Sequence, residues 1–422
     1  MSIVSNEEKT ERVLLAGVHT GCRNSLNDTT EESMAELAEL AKTAGAEVLA
    51  VVIQNKAELE SGTYMGEGKL QEIQNVIPEL EIDCIIFDDE LSPVQLRNVT
   101  DMLGVKVLDR SMLILDIFAM RAKSGEGKLQ VELAQLKYRL PRLRGLGTVM
   151  SRTGAGIGTR GPGETKLETD RRHIHRRISA LEDELKELKK HRDLLRSRRK
   201  KDGVVTAALV GYTNAGKSTL LNALTDAEVF AENKLFATLD PTSRAFVLED
   251  NRQILLVDTV GFIRKLPHHL VEAFKSTLEE AVVADLLIHV VDAANPEYEQ
   301  HIRVAEEVLS EISALGKPEI LVYNKCDLCG EVVNVPADTT VVHISAKSGE
   351  GLEELVEKIS DIAPGKKQRI KVCIPYNEGA LASSLYAQQK VLSQTHMENG
   401  TEMELLADSR TYEALRRFII EE

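Results

Sequence analysis

The sequence contains no run of eighteen apolar residues, so no segment is long enough to cross a bilayer as a helix. Its first residues, Met1 to Glu11, are polar and acidic and lack the basic-then-apolar layout of a secretory leader. The cytoplasm is therefore the expected compartment and stable membrane insertion is not expected, with partial membrane association left open. Cysteine is scarce and scattered, at Cys22, Cys84, Cys326, Cys329 and Cys373. An odd, dispersed set argues against a disulfide framework. Cys326 and Cys329 form a C-x-x-C, but no second pair or nearby His pair completes a zinc site, so chance spacing beside a loop is the expected reading. Aromatic residues make up 4% of the chain, and Tyr138 is the only one between Arg121 and Lys201.

What the chain does contain is ordinary for a globular protein: 422 residues, 43% hydrophobic and 28% charged, enough for several cores. The net charge of −15 is unevenly spread. From Arg121 to Lys201 there are 23 Lys/Arg and 10 Asp/Glu, a local +13, which leaves −28 for the remainder. Two readings stand for such a segment, a polyanion-binding arm and a solvated helical face.

Residues 1–110 alternate β-type runs with helical stretches. Val13 to Gly17, Glu47 to Gln54, Cys84 to Phe87 and Val105 to Leu108 read as strands, and Glu31 to Ala44 as a helix. That alternation predicts a small parallel α/β domain. The loop Tyr64 to Lys69 is glycine-rich and precedes a helix, and a plain connection explains it better than a phosphate site.

Residues 111–202 turn helical. Leu129, Leu133, Leu136, Leu140 and Leu143 recur at helical spacing, and Ile174, Ile178, Leu181, Leu185, Leu188 and Leu195 repeat the rhythm. Two such stripes predict a long antiparallel helical hairpin that buries one seam. The joining loop, 145–163, holds seven glycines. Arg144, Arg152 and Arg160 lie at this tip, and Arg171, Arg172, Arg176 and Arg177 on the stem. Scarce aromatics disfavour stacking on single strands, whereas backbone and arginine contacts with the phosphates of folded RNA fit. A disordered linker is the alternative for the loop.

Residues 203–364 carry the chemistry. Gly211-Tyr212-Thr213-Asn214-Ala215-Gly216-Lys217-Ser218 matches the phosphate-loop pattern between an apolar strand and a helix. Its glycines admit backbone N–H groups to phosphates, Lys217 would neutralise the β- and γ-phosphates, and Ser218 would bind Mg²⁺. Asp258-Thr259-Val260-Gly261 follows a strand, placing an acid behind the metal and a backbone N–H at the γ-phosphate. Asn324-Lys325-Cys326-Asp327 supplies a carboxylate for guanine N1–H and N2, a donor pair adenine lacks. Ser345-Ala346-Lys347 backs guanine O6 through a backbone N–H. In Phe236-Ala237-Thr238-Leu239-Asp240-Pro241-Thr242, Thr238 is the chosen switch threonine that closes on Mg²⁺, with Thr242 its rival. Many GTPases place a water-orienting glutamine after the glycine of the second motif, but Phe262 stands there instead. Slow intrinsic hydrolysis that needs a partner is the expectation. Residues 368–422 read as a small α+β appendage, with strands near Arg369 to Ile374 and Glu402 to Leu406 and a helix from Gly379 to Leu392.

With those residues in place, the chain resembles the HflX family of ribosome-associated GTPases, within the Era and Obg-like group. The most specific element runs from Ser151 to Thr165, SRTGAGIGTRGPGET, and GYTNAGKST and FATLDPT agree. The resemblance implies a P-loop G domain behind a parallel α/β domain and a hairpin. It also implies binding to the 50S subunit, with the hairpin loop reaching 23S rRNA, splitting of stalled ribosomes, and ribosome-stimulated hydrolysis. A monomer is expected. The alternatives are a GTPase of RNA modification or ribosome maturation, and a GTP-switched regulator of a protein partner.

Overall fold

The computed structural model describes residues 10–21, 30–143, 162–201, 203–225, 235–236, 240–248, 250, 252–265, 267, 275–329, 339–365, 368–397, 399–407 and 409–420. They fold into two compact units. The first takes residues 1–192 together with 232–240 and 260–277, and the second takes the rest.

In the first unit, β1 (Arg12–His19), β2 (Glu47–Asn55), β3 (Cys84–Phe87) and β4 (Lys106–Asp109) form one parallel sheet in the order β2-β1-β3-β4. Helices α1 (Thr30–Thr43), α2 (Glu67–Leu80), α3 (Pro93–Leu103) and α4 (Arg110–Arg121) alternate with the strands. Every residue of the inner strand Cys84–Phe87 is buried, as a parallel strand covered on both faces requires. Tyr64 and Met65 are buried in the core, Tyr64 packs edge-on to Phe87, and Gly66 is the N-cap of α2. The glycine-rich loop is thus a helix start anchored in the core.

The helical region is interrupted after Arg121. Ser124 caps α5 (Gly125–Arg142) by accepting the Gly127 N–H, and α6 (Pro162–Lys201) follows. Leu133, Ile178 and Leu181 are buried between the two helices, with Leu129, Leu136, Leu140, Ile174 and Leu185 packed around them. Glu126 pairs with Arg192 at 2.9 Å and Lys137 with Glu182 at 2.7 Å. Between these two pairs position rises along α5 and falls along α6, so the hairpin is antiparallel. Arg177 adds two 2.7 Å bonds to Glu132. Leu188 and Leu195 fall outside the buried seam and are 36% and 38% exposed. Leu195 has passed the start of α5, which begins beside Arg192. Tyr138 is buried, its hydroxyl donates to Asp109, and the Arg142 guanidinium lies 3.3 Å from its ring centroid.

The same unit takes in residues far along the chain. Phe236 packs edge-on against Phe118, with ring centroids 4.6 Å apart. The Asp240 carboxylate accepts the N–H groups of Lys123 and Ser124, at 2.9 and 2.8 Å, and the Ser124 hydroxyl. Arg264 bonds Glu32 at 3.2 Å, and Lys265 pairs with Asp88 and, at 3.1 Å, Asp89. Asp88 also holds the buried Arg110 at 2.8 Å.

The second unit is built on a six-stranded sheet, β10-β9-β8-β5-β7-β6. Its strands are β5 (Val205–Val210), β6 (Thr242–Val247), β7 (Gln253–Asp258), β8 (Leu286–Asp292), β9 (Glu319–Asn324) and β10 (Thr340–His343). All pairs are parallel except the edge pair β6–β7. Helices α7 (Lys217–Thr225), α8 (Lys275–Val283), α9 (Tyr298–Glu311) and α10 (Leu352–Ile362) complete this doubly wound fold. Its core runs from Ala207 and Leu209 through Ile288 and Val290 to Val322 and Ile344, under Leu220, Leu355 and Ile359 of the helices.

The C-terminal part differs from the sequence expectation in one element. The helix α11 (Gly379–Gln388) ends four residues early, and β12 (Lys390–Met397) follows between β11 (Gln368–Ile374) and β13 (Gly400–Ala407) in sequence. The three strands pair antiparallel in the order β11-β13-β12, and α12 (Ser409–Leu415) follows them. Neither Gly nor Pro marks the junction at Gln389, which has extended φ −127 and ψ 157. Val391 to Met397 carries no apolar–polar alternation, so the strand is set by its pairing with β13 and not by a local pattern.

Candidate functional site

Parallel strands deliver their C-terminal ends to one edge of a sheet, and loops at that edge are where doubly wound folds hold ligands. Four of the sequence motifs meet there in the second unit. The loop from Gly211 to Gly216 leaves β5, and Asp258 ends β7. Asn324 ends β9, and Ser345 follows β10.

The phosphate loop has a backbone that few side chains permit. Gly211 has φ 137, Asn214 φ 62 and Gly216 φ 96. A Cβ at Gly211 would overlap the Val290 carbonyl oxygen, and one at Gly216 would overlap Asn324 Nδ2. These glycines let the chain pass close to its neighbours. Lys217 opens α7, is buried, and donates to the carbonyl oxygens of Gly211 and Tyr212 at 3.1 and 2.8 Å. Burial pushes its ammonium down to about 8, against which the Asp258 carboxylate pulls upward. Tyr212 stacks flat on His301 of α9, with centroids 3.8 Å apart. The Ser218 hydroxyl donates to Asp258 at 2.6 Å, and Thr259 ties its strand end to the Leu209 carbonyl at 2.6 Å.

Asn324 links two loops. Its Nδ2 donates to the Ala215 carbonyl at 2.8 Å, and its Oδ1 accepts the Ala346 N–H at 2.9 Å. Lys325 takes a left-handed backbone, φ 66, and its ammonium reaches Asp292 at 2.6 Å. Asp327 is exposed on the single turn Cys326–Leu328, and Ser345 is buried. Within the motif expected to back guanine O6, the Ala346 N–H is directed to Asn324, and Lys347 next to it is exposed.

Apart from Thr242 of the second unit, the remaining candidates lie in the first unit or outside the described residues. Val260 and Gly261 are buried, and Phe262 is 1% exposed. Phe236 packs on Phe118 and Asp240 binds the start of α5, whereas Ala237, Thr238 and Leu239 lie outside the described residues. The rival Thr242 is the first residue of β6 and lies opposite Asp258 in the β6–β7 register. Arg144, Arg152 and Arg160 also fall outside the described residues. On α6, Arg172 is exposed and Arg171 half-buried. Sequence reasoning missed His301, the Asn324 bridge and the anchoring role of Asp240. Each acts on a residue distant in sequence, and no local pattern marks any of them.

The chemistry of this edge fits the groups it is expected to hold. Backbone N–H groups, a buried cation and a helix start suit phosphates, and a hydroxyl beside a carboxylate suits a hard divalent cation. Such a loop, together with an Asn-Lys-x-Asp turn on a mostly parallel sheet, defines a P-loop GTPase.

Family models agree along the chain. Residues 31–119 match the GTP-binding GTPase N-terminal model and 121–199 the middle-region model. Residues 206–325 match a 50S ribosome-binding GTPase model, and 332–418 the HflX C-terminal domain. The chain is 52% identical to the GTPase HflX of Caldanaerobacter subterraneus over 92% of its own length and 91% of the relative's. It is 42% identical to that of Escherichia coli, over 89% of each. Among solved structures it is 29% identical to a GTP-binding protein from Sulfolobus solfataricus in complex with GDP, covering 84% of this chain and 98% of that one, with a TM-score of 0.43. The chain belongs to the GTPase HflX family, and binding and hydrolysing GTP is its activity.

Proposed function

We propose that this GTPase is a nucleotide-controlled switch on the large ribosomal subunit, binding it in the GTP state, helping to split stalled ribosomes and leaving after hydrolysis. The observation that carries the nucleotide half is the buried Lys217 held over its own loop beside the Ser218–Asp258 pair. Phosphates entering the loop replace the Gly211 and Tyr212 carbonyls as partners of Lys217, which lies ready to neutralise the β- and γ-phosphates. Ser218 and Thr238 would hold Mg²⁺, with Asp258 behind them, and the ion would supply charge neutralisation to the phosphates. The Gly261 N–H addresses the γ-phosphate, and Asp327 accepts guanine N1–H and N2. Phe262 offers no hydrogen bond to the attacking water, so a partner completes the site.

The ribosomal half rests on the arm. Three of its acids are engaged within the hairpin, in Arg177–Glu132, Arg192–Glu126 and Lys137–Glu182, and the segment still carries its net +13. The arginines assigned to phosphates in this reading are Arg144, Arg152, Arg160, Arg171 and Arg172. Burial of Tyr138 removes the segment's single aromatic from any stacking surface, which favours phosphate contacts with 23S rRNA. The protein acts as a cytoplasmic monomer in this reading.

Two measurements test it. Asp327→Asn should weaken GTP binding by about 2–4 kcal/mol, the loss of a charged hydrogen bond in a desolvated site. Cosedimentation with 50S subunits should be strong with a non-hydrolysable GTP analogue and weak with GDP; equal binding in both states sinks the switch.

A further inference from the structure

The turn that carries Asp327 is flanked by two sulfurs. Cys326 opens the turn Cys326–Leu328, and Cys329 closes it, its N–H directed to the Cys326 carbonyl at 3.5 Å. A turn closed from its first to its fourth residue keeps those two Cα atoms within about 7 Å, the range a disulfide spans. Both residues are half-buried, packed beside Val291 and Tyr323, and neither is sealed from solvent.

The rest of the neighbourhood decides between the uses of a thiol pair. Among the described residues no group of three or more His, Cys, Asp or Glu side chains is placed to hold a metal ion. A structural zinc needs four ligands, so the pair is two short. Two-electron dithiol chemistry needs only the pair itself.

We propose that Cys326 and Cys329 form a reversible dithiol–disulfide site that lowers the affinity for guanine nucleotide when oxidised by a low-molecular-weight disulfide. The proposal rests on the reading of Asp327 as the guanine-selective residue. The Cys329 thiolate attacks one sulfur of the reagent and releases its first thiol. Cys326 then attacks Cys329 in the mixed disulfide and releases the second. Each cysteine gives its proton to a departing thiolate, so the protein loses two electrons and two protons and the reagent becomes two thiols. Burial, and secondarily the neighbouring Cys329, push the Cys326 thiol up to about 11, which makes Cys326 a poor first attacker.

The coupling to nucleotide follows from what the thiols do when reduced. The Cys326 thiol donates to the Tyr323 carbonyl at 3.3 Å and the Cys329 thiol to the Lys325 carbonyl at 3.7 Å. Oxidation removes both donors and draws the ends of the turn together. Asp327 sits between them, so its carboxylate rotates off the base edge.

The test uses the full chain, treated with oxidised glutathione and then titrated with fluorescent GDP. The expected product is lighter by two hydrogens, carries a peptide-mapped 326–329 linkage, and binds GDP at least about tenfold more weakly, as the loss of a charged hydrogen bond predicts. Dithiothreitol should restore both mass and affinity. Cys329→Ser and Cys326→Ser should form no linkage, and the double serine variant should keep its affinity through the same treatment, which separates this pair from Cys22, Cys84 and Cys373. Absence of the linkage in the folded protein, or a linkage that changes affinity by less than about twofold, overturns the proposal. Reduced protein that failed to prefer guanine nucleotides would instead overturn the reading of Asp327.

Discussion

Gly216 and Asn324 approach so closely that a Cβ at position 216 would overlap Asn324 Nδ2, the atom that donates to the Ala215 carbonyl. That close approach joins the phosphate loop to the Asn324–Asp327 turn. Gly216→Ala must also carry a methyl at φ 96, so it should cost about 1–3 kcal/mol from backbone strain before the clash is counted. GDP titration should show at least that loss, with the circular dichroism spectrum retained.

Nucleotide affinity should depend on pH through Lys217. Its pKa is about 8 in the free protein, and phosphates beside it raise that value in the complex. Affinity is then constant below pH 8, where Lys217 is already charged, and falls as pH rises above it, because binding must take up a proton. The slope approaches about one proton per nucleotide until the pKa of the complex is reached. Calorimetry in buffers of different ionisation enthalpy measures that uptake directly, and zero uptake at about pH 9 would remove the effect.

Phe262 should act on stability and not on intrinsic chemistry. It is 1% exposed, so Phe262→Ala should destabilise the protein by about 3–5 kcal/mol. Phe262→Leu conserves most of the volume and should leave the slow intrinsic GTPase rate within about twofold. A hundredfold drop from the leucine variant would mean that the ring takes part in the reaction.

For the arm, Arg152→Ala combined with Arg160→Ala should weaken 50S binding while GTP affinity and intrinsic hydrolysis persist. The slope of log affinity against log salt should fall by roughly one unit for each arginine–phosphate bond removed. Normal 50S binding at every salt concentration would reduce the arm to a spacer and move the ribosome-binding surface elsewhere.

Strands, seam and phosphate loop were legible in the chain because periodicity and motif order are local. The strands around Cys84–Phe87 and Ile254–Val257 announce themselves as short apolar runs, and the hairpin seam from Leu129 to Leu185 as a stripe. The phosphate loop is readable because glycine, lysine and serine are needed at fixed offsets. What could not be read depends on partners distant in sequence. Leu195 continues the stripe, yet lies exposed because α5 begins beside Arg192. β12 hides in a run with no breaker at Gln389, and its identity is settled by pairing with β13. Asn324 reads as part of a guanine signature, but its two bonds to Ala215 and Ala346 belong to three loops brought together by the sheet.

The hold of Asp240 on the start of α5 has a consequence for anyone who would take this chain apart. A fragment ending at Arg192 contains Ser124 and Phe118 but not the carboxylate that binds one or the ring that packs on the other. It also gives up Arg264 and Lys265, the counter-charges of Glu32 and Asp88. Expressed alone, such a fragment should be less stable than the same residues in the intact chain. Peptides covering 232–240 and 260–277, added in trans, are the natural reagents for complementing it.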